Sequence, residues 1–214
     1  NVRKVFREIA VQLGKRPSLG ETAFDEAWEE FSLIQEKFKL LGRKALAELE
    51  SDKSKFGVVL FGRPYNAFAA EANLNIPHKF ASRNIIVIPH DFLPNENYHS
   101  YDNMYWYSGQ QILRSARFTK EHEQLFGVYI TNFSCGPDSF LLSYFRNIMG
   151  SKPSLTLELD SHSADVGVDT RIDAALDIIR NYIELNKQGM IAEKPEGIPP
   201  LAIIKKKKKT LIVD

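Results

Sequence analysis

The chain has 214 residues, a formal net charge of +1 and a hydrophobic content of 43%. This size and composition suit one globular domain with additional structure, and the near-zero charge argues against nucleic acid or an anionic membrane as a partner. A single cysteine excludes an internal disulfide framework and indicates a reducing, cytoplasmic location. No apolar run approaches the roughly 18 residues that a membrane-spanning helix needs.

The first 54 residues are predicted to form a helical extension. Apolar residues at three- and four-residue steps predict one helix over residues 1–14 and a long amphipathic helix over residues 21–51. The segment from Pro17 to Gly20 interrupts the pattern, and Gly42 is a candidate kink within the second helix.

Short, continuously apolar segments alternate with helical segments over residues 55–188. This alternation is typical of βαβ units and of a parallel sheet buried on both faces. Because parallel crossovers are right-handed, we predict a three-layer α/β domain. The predicted strands are 57–61, 85–89, 127–133 and 154–160, and the predicted helices are 72–82, 103–120, 138–149 and 169–186.

Three side-chain predictions accompany these helices. Asp138 and Asp169 are expected to cap helices or to lie in their first turns, where a carboxylate satisfies free N–H groups. The aromatic run from Tyr105 to Tyr107 is expected to serve in packing rather than as a stacking platform.

The last segment, residues 189–214, is predicted to be a tail or a linker. Its prolines and glycine preclude a helix, and its five consecutive lysines lack the interleaved aromatic residues of a nucleic-acid site. Since the first residue is not methionine, we expect the chain to be a fragment of a longer polypeptide.

Each predicted strand ends in a polar turn, and the four turns contain Arg63, His90, Cys135 and His162. The carboxyl ends of parallel strands meet at one edge, which is where open α/β sheets bind ligands. We therefore expect these four residues to lie on one face of the domain. No GxGxxG, P-loop or GxSxG motif is present, so the standard dinucleotide, nucleoside triphosphate and hydrolase fingerprints are absent.

Each candidate has a functional and a structural interpretation. Cys135 lies between a strand and a helix, a position that favours the thiolate that binds metals, but a small half-buried cysteine is also common there. His162 lies among carboxylates and is either an acid, base or ligand, or a turn residue that satisfies the backbone. Arg63 either binds a phosphate or carboxylate, or forms a surface salt bridge.

Several of these turns resemble the dehydratase-like part of CoA-substrate-specific enzyme activases, which is similar to the subunits of 2-hydroxyacyl-CoA dehydratases. The resemblance covers roughly residues 55–185. It is carried by Gly62-Arg63-Pro64-Tyr65-Asn66, Leu74-Asn75-Ile76-Pro77, Pro89-His90-Asp91-Phe92-Leu93-Pro94, Asn132-Phe133-Ser134-Cys135-Gly136-Pro137-Asp138-Ser139-Phe140 and Asp160-Ser161-His162-Ser163-Ala164-Asp165-Val166-Gly167.

The resemblance implies a flavodoxin- or Rossmann-like lobe and a place in anaerobic redox metabolism. In this family, cysteines from several lobes hold an iron–sulfur cluster, an ATP-driven activase reduces it, and acyl-CoA is the substrate. On that pattern Cys135 is a metal ligand of a [4Fe-4S] cluster, and Arg63, Asn66 and His162 belong to the same cofactor-binding edge.

The chain departs from this pattern because it has one cysteine, whereas a cluster needs about three or four protein ligands. We therefore expect no stably bound cluster in this chain alone. Its expected partners are other domains of the same polypeptide or a dehydratase component. Two alternatives stay open, a non-catalytic docking or scaffold domain that uses the long helix, and a domain that binds CoA or a nucleotide.

Overall fold

The computed structural model describes residues 2–132, 135–160 and 165–191. The turn that contains His162 and most of the predicted tail lie outside these residues. The helices are α1 (Val2–Gln12), α2 (Pro17–Glu50), α3 (Pro64–Ala67), α4 (Ile76–Ala81), α5 (Tyr107–Glu121), α6 (Gly136–Met149) and α7 (Asp165–Lys187). The strands are β1 (Gly57–Phe61), β2 (Ile86–Pro89), β3 (Leu125–Asn132) and β4 (Ser154–Leu159), and a 3₁₀ turn spans His90–Phe92.

The four strands form one parallel sheet in the order β2-β1-β3-β4. The α/β prediction is therefore confirmed. The central strand β1 is buried along its whole length, and β3 is buried at every position except its last. The order reverses direction between β1 and β3, which places the topological switch point of the sheet between their carboxyl ends.

Helices cover both faces of the sheet, because the apolar side chains of β1 point alternately to either side. On one face Val59 and Phe61 pack with the end of α2 and with α5 and α6. On the other face Val58 and Leu60 pack with α4 and α7. These two cores produce the predicted three-layer arrangement.

The N-terminal extension folds as two helices, but the prediction of a break from Pro17 to Gly20 was wrong. Pro17 is instead the first residue of α2, where its missing N–H costs nothing. Gly42 lies within α2, where a Cβ atom would come 2.0 Å from the carbonyl oxygen of Phe92. Glycine therefore allows the turn after β2 to approach the helix. Across the described ranges, none of the helices combines the length and the apolar composition that a bilayer crossing requires.

Two further predictions need correction. Helix α7 begins at Asp165, so Asp169 does not cap it. Asp169 instead pairs with Lys79 at 2.6 Å and Arg83 at 3.0 Å, and this joins α7 to α4. The aromatic run is exposed rather than packed, because Tyr105, just before α5, is 88% exposed and Tyr107, its first residue, is 71% exposed.

Candidate functional site at the carboxyl edge of β1 and β3

The turn after β1 is shaped by Gly62. Its φ of +145° is disfavoured for other residues, and a Cβ atom would lie 2.5 Å from the carbonyl oxygen of Ile130 on β3. The close contact holds the turn against β3 and sends Arg63 towards the loop that follows that strand. Arg63 then precedes the short helix α3, which begins at Pro64.

The turn after β3 places Cys135 at the N-cap of α6. The backbone N–H of Cys135 donates to the carbonyl oxygen of Asn132 at 3.2 Å, and the carbonyl oxygen of Cys135 accepts from the N–H and hydroxyl groups of Ser139. The cysteine is half-buried. Space is open around Gly136, where an added Cβ atom would meet nothing within 4 Å. The half-buried cysteine therefore lies at the start of α6, next to a glycine with open space around it.

Arg63 connects the two turns. Its Nη2 donates to Cys135 Sγ, and its Nε lies 3.1 Å from Asp138 Oδ1. Its guanidinium also stacks 4.7 Å from the ring centroid of Tyr65. The Arg63 side chain is only 21% exposed, so its charge is applied to the sulfur at short range and with little screening.

Asp138 is the buried counter-ion of this group, with a side chain that is 1% exposed. Its Oδ2 accepts a hydrogen bond from the Thr131 hydroxyl at 2.7 Å, and its Oδ1 lies 3.4 Å from the Tyr129 hydroxyl. Burial, and then the negative charge of Asp138, raise the pKa of Tyr129 far above its usual value of 10.0. Asp138 lies in the first turn of α6 as predicted, but sequence reasoning missed its pairing with Arg63.

Asn66 lies beside the same pair of turns and is 1% exposed. Its Oδ1 accepts from Asn132 Nδ2 at 2.8 Å, which ties α3 to the end of β3. Among the residues that the structure describes, Asn66 Nδ2 has no hydrogen-bond partner. A buried amide nitrogen without an acceptor is uncommon in proteins.

His90 lies at the same edge of the sheet, one strand away from the Arg63–Cys135 contact. Its Nε2 is 3.3 Å from the carbonyl oxygen of Gly62, and its ring is parallel to that of Phe61 at 5.8 Å. Burial lowers the pKa of His90 below its usual 6.5, although Asp91 and the Gly62 carbonyl oppose this. The imidazole is therefore neutral at pH 7 and Nδ1, which has no partner in the described part of the chain, is an acceptor.

A cleft of about 650 Å³ opens next to His90, between α2 and the start of α5. Lys39, Arg43 and Arg114 line it together with Glu36 and Glu96. Its volume is in the range of small-molecule sites.

The structure thus brings Arg63, His90 and Cys135 to one edge, as the sequence predicted, and Asn66 lies with them. His162 lies outside the described residues, and its place in the site stays a prediction. No group of three or more histidine, cysteine, aspartate or glutamate side chains that could hold a metal ion occurs in ranges 2–132, 135–160 and 165–191. The cofactor-binding roles of Arg63, Asn66, Cys135 and His162 and the metal role of Cys135 also stay predictions.

Comparison with known proteins gives one family. Residues 1–93 match the family described as "CoA enzyme activase uncharacterised domain (DUF2229)". The matched range covers the helical extension, β1 and β2, so it includes Arg63, Asn66 and His90 and ends before Cys135. No curated protein matches the chain, and neither does a solved structure.

Proposed function

We propose that the chain is a lobe of an iron–sulfur redox protein, because residues 1–93 match a domain family described for CoA enzyme activases. In this proposal Cys135 supplies one thiolate to a cluster that other polypeptide segments complete. One observation carries the proposal. The chain's single cysteine lies at the β1–β3 switch point and accepts a hydrogen bond from a half-buried arginine.

The residues present do not fit a complete cluster. The chain has one cysteine, and a cluster needs about three or four protein ligands. The remaining ligands therefore have to come from other domains of the same polypeptide or from a dehydratase component. A cluster bound across such an interface would supply electrons to an acyl-CoA substrate.

This chain's own residues have a simpler part in the proposal, which is to hold and polarise the sulfur. Asp138 fixes the Arg63 guanidinium, and Arg63 directs a positive charge at Cys135 Sγ. A negatively charged sulfur is the form of cysteine that ligates metals. Asn66 Nδ2 provides an additional free donor at the same edge.

A second candidate function is the binding of CoA or a nucleotide, and the cleft beside His90 favours it. Lys39, Arg43 and Arg114 line this cleft and could contact phosphate groups. In this reading Cys135 has a structural role and binds no metal.

Substitution of Cys135 by serine in the polypeptide that contains this chain tests the first proposal. Serine preserves size and local hydrogen bonding but removes the soft ligand. After anaerobic purification we expect lower iron content and loss of ATP-dependent reduction, with unchanged circular dichroism. Ser139→Ala is the matched control, because it removes the hydroxyl that donates to the Cys135 carbonyl and keeps the thiol. Full iron and full activity in Cys135→Ser would refute the ligand assignment.

The isolated 214-residue chain provides a complementary measurement. It should be colourless and contain no stoichiometric iron, because one thiolate cannot hold a cluster. About four iron atoms per monomeric chain would contradict this expectation.

A further inference from the structure

Helix α2 has an aliphatic surface that faces away from the lobe. The helix contacts the lobe through Gly42, Leu46 and Leu49, which are buried. On the outer side, four aliphatic side chains lie within nine residues and are exposed to solvent. They are Leu33 (44% exposed), Ile34 (37%), Leu40 (48%) and Leu41 (51%). We call this set the outer face of α2.

Four charged side chains flank the outer face, and their signs are separated along the helix. Glu26 and Glu30 precede the aliphatic residues, whereas Lys37 and Lys44 lie among and after them. The positions 26, 30, 33, 37, 40 and 44 alternate steps of four and three, so they form one seam along the helix.

None of these four charges has an ion pair or side-chain hydrogen bond in the described residues, and all four are exposed. The inner side of the same helix differs, because Asp25 and Glu21 pair there with Arg3 and Arg7 of α1. Glu30 and Lys37 are seven residues apart, about 10 Å along the axis, so an ion pair between them within one helix is geometrically excluded. The outer face therefore holds unpaired charges of both signs beside an uncovered aliphatic surface.

We propose that the outer face of α2 binds the outer face of a second copy of this chain, with the two helices antiparallel. A two-fold axis near Leu33 and Ile34 places these residues against their own copies. It also places Glu30 of each copy opposite Lys37 of the other, and Glu26 within one turn of Lys44 of the other. Self-complementary surfaces of this kind are what a two-fold dimer requires.

The charge pattern selects this arrangement over the parallel one. Two parallel copies in register would place Glu30 against Glu30 and Lys37 against Lys37, and like charges across an interface are unfavourable. The antiparallel arrangement converts the same four charges into opposite-sign pairs around a centre formed by Leu33 and Ile34 of both copies.

Sedimentation equilibrium of the full 214-residue chain at low salt, over a range of concentrations, tests this proposal. The natural chain should dimerise reversibly. The all-lysine face made by Glu26→Lys with Glu30→Lys should associate roughly tenfold or more weakly, a change of about 1.4 kcal/mol. The all-glutamate face made by Lys37→Glu with Lys44→Glu should do the same.

Two rescues identify the surface. An equimolar mixture of the two double variants should form heterodimers, and one chain carrying all four exchanges should dimerise again. Glu71→Lys with Glu158→Lys is the matched control, since it changes the net charge equally at exposed sites elsewhere and should leave dimerisation unchanged. Circular dichroism verifies folding of each variant.

Several outcomes would overturn the proposal. A natural chain that remains monomeric at every concentration would do so, and a different protein would then have to cover this surface. Undiminished dimers of both double variants, or failure of the mixture to associate, would also exclude the outer face as the interface.

Discussion

The two ends of the sheet both bury polar groups, but they satisfy them differently. At the amino end Lys152 is 5% exposed and its Nζ donates to the carbonyl oxygens of Thr119, Lys120 and His122, at the end of α5. Beside it Gln124 Nε2 donates to the carbonyl oxygens of Leu49, Asp52 and Lys55. Here each donor has acceptors, and these hydrogen bonds join the ends of helices and strands.

At the carboxyl end several buried polar atoms do not form the hydrogen bonds that they could form. Asn66 Nδ2, His90 Nδ1 and Asp91 Oδ1 have no hydrogen-bond partner in the described part of the chain. Arg63 Nε lies at ion-pair distance from Asp138 without hydrogen-bond geometry. Because an unsatisfied buried polar atom costs about 1–3 kcal/mol, several at one edge indicate a site organised for something other than stability.

Removing the counter-ion at the carboxyl end should produce the largest effect. Asp138→Ala leaves the Arg63 charge and the Thr131 hydroxyl without their acceptor, and breaking such a buried pair costs about 3 kcal/mol in the free energy of unfolding. Urea denaturation measures this loss. Asp138→Asn keeps the size and an acceptor oxygen, so it should cost less. Equal losses in the two variants would show that the retained acceptor oxygen contributes nothing, and an undiminished stability of Asp138→Asn would show that the charge of Asp138 is unimportant.

A substitution at the amino end should cost less stability than Asp138→Ala, and its cost should depend on pH. Burial, and then the charge of Lys120, lower the pKa of Lys152 from 10.5 to about 7, while Glu123 opposes the shift. Between these two values the unfolded chain binds more protons, so the contribution of Lys152 to stability rises with pH above about 7. Lys152→Met should therefore be less stable than the natural chain, and this difference in the free energy of unfolding should widen by at least about 1 kcal/mol from pH 6 to pH 9.

Denaturation curves of the natural chain and of Lys152→Met at the two pH values measure this difference. Lys53→Met is a control for the loss of a lysine at the same end, because Lys53 makes only a 3.4 Å contact with Gln124 Oε1. A deficit that stays constant or shrinks at pH 9 would mean that the three carbonyl groups hold Lys152 in its charged form.

Much of the sheet was predictable from sequence, because buried strands leave apolar runs and a polar residue after each run marks the strand end. That reasoning placed Arg63, His90 and Cys135 at one edge. It missed the role of Asp138 in pairing with Arg63, since the two residues lie 75 positions apart and only the folded sheet brings them together. It also missed the exposure of Tyr105 and Tyr107, because aromatic residues have the same pattern in a core and on a surface.

Some helix boundaries were also predicted wrongly from the sequence. Pro17 was read as a break and is the start of α2, because proline suits the first turn of a helix as well as a turn between helices. The extent of α4 was overestimated, since Leu74 and Asn75 adopt positive φ and delay the helix to Ile76. Local residue preferences alone do not decide either case.

The smallest predicted effect concerns His90 and tests whether its unused nitrogen matters for stability. Burial lowers the pKa of His90 in the folded state, whereas the unfolded chain has the usual value of 6.5. Below pH 6.5 the unfolded state therefore binds a proton that the folded state does not, so acidification destabilises the fold. The slope from this one residue approaches about 1.4 kcal/mol per pH unit between the two pKa values.

Comparing the natural chain with His90→Gln isolates this contribution from that of the carboxylates. Glutamine retains a donor for the carbonyl oxygen of Gly62 and cannot be protonated in this range, so the loss of stability between pH 7 and pH 5.5 should be smaller in the variant by about 1 kcal/mol. His99→Gln is the matched control, because His99 is exposed, and it should keep the slope of the natural chain. If His90→Gln also kept that slope, a group at the carboxyl edge would have to accept a hydrogen bond from protonated His90. Asp91 is the first residue to replace in that case, because its charge already opposes the lowering of the His90 pKa.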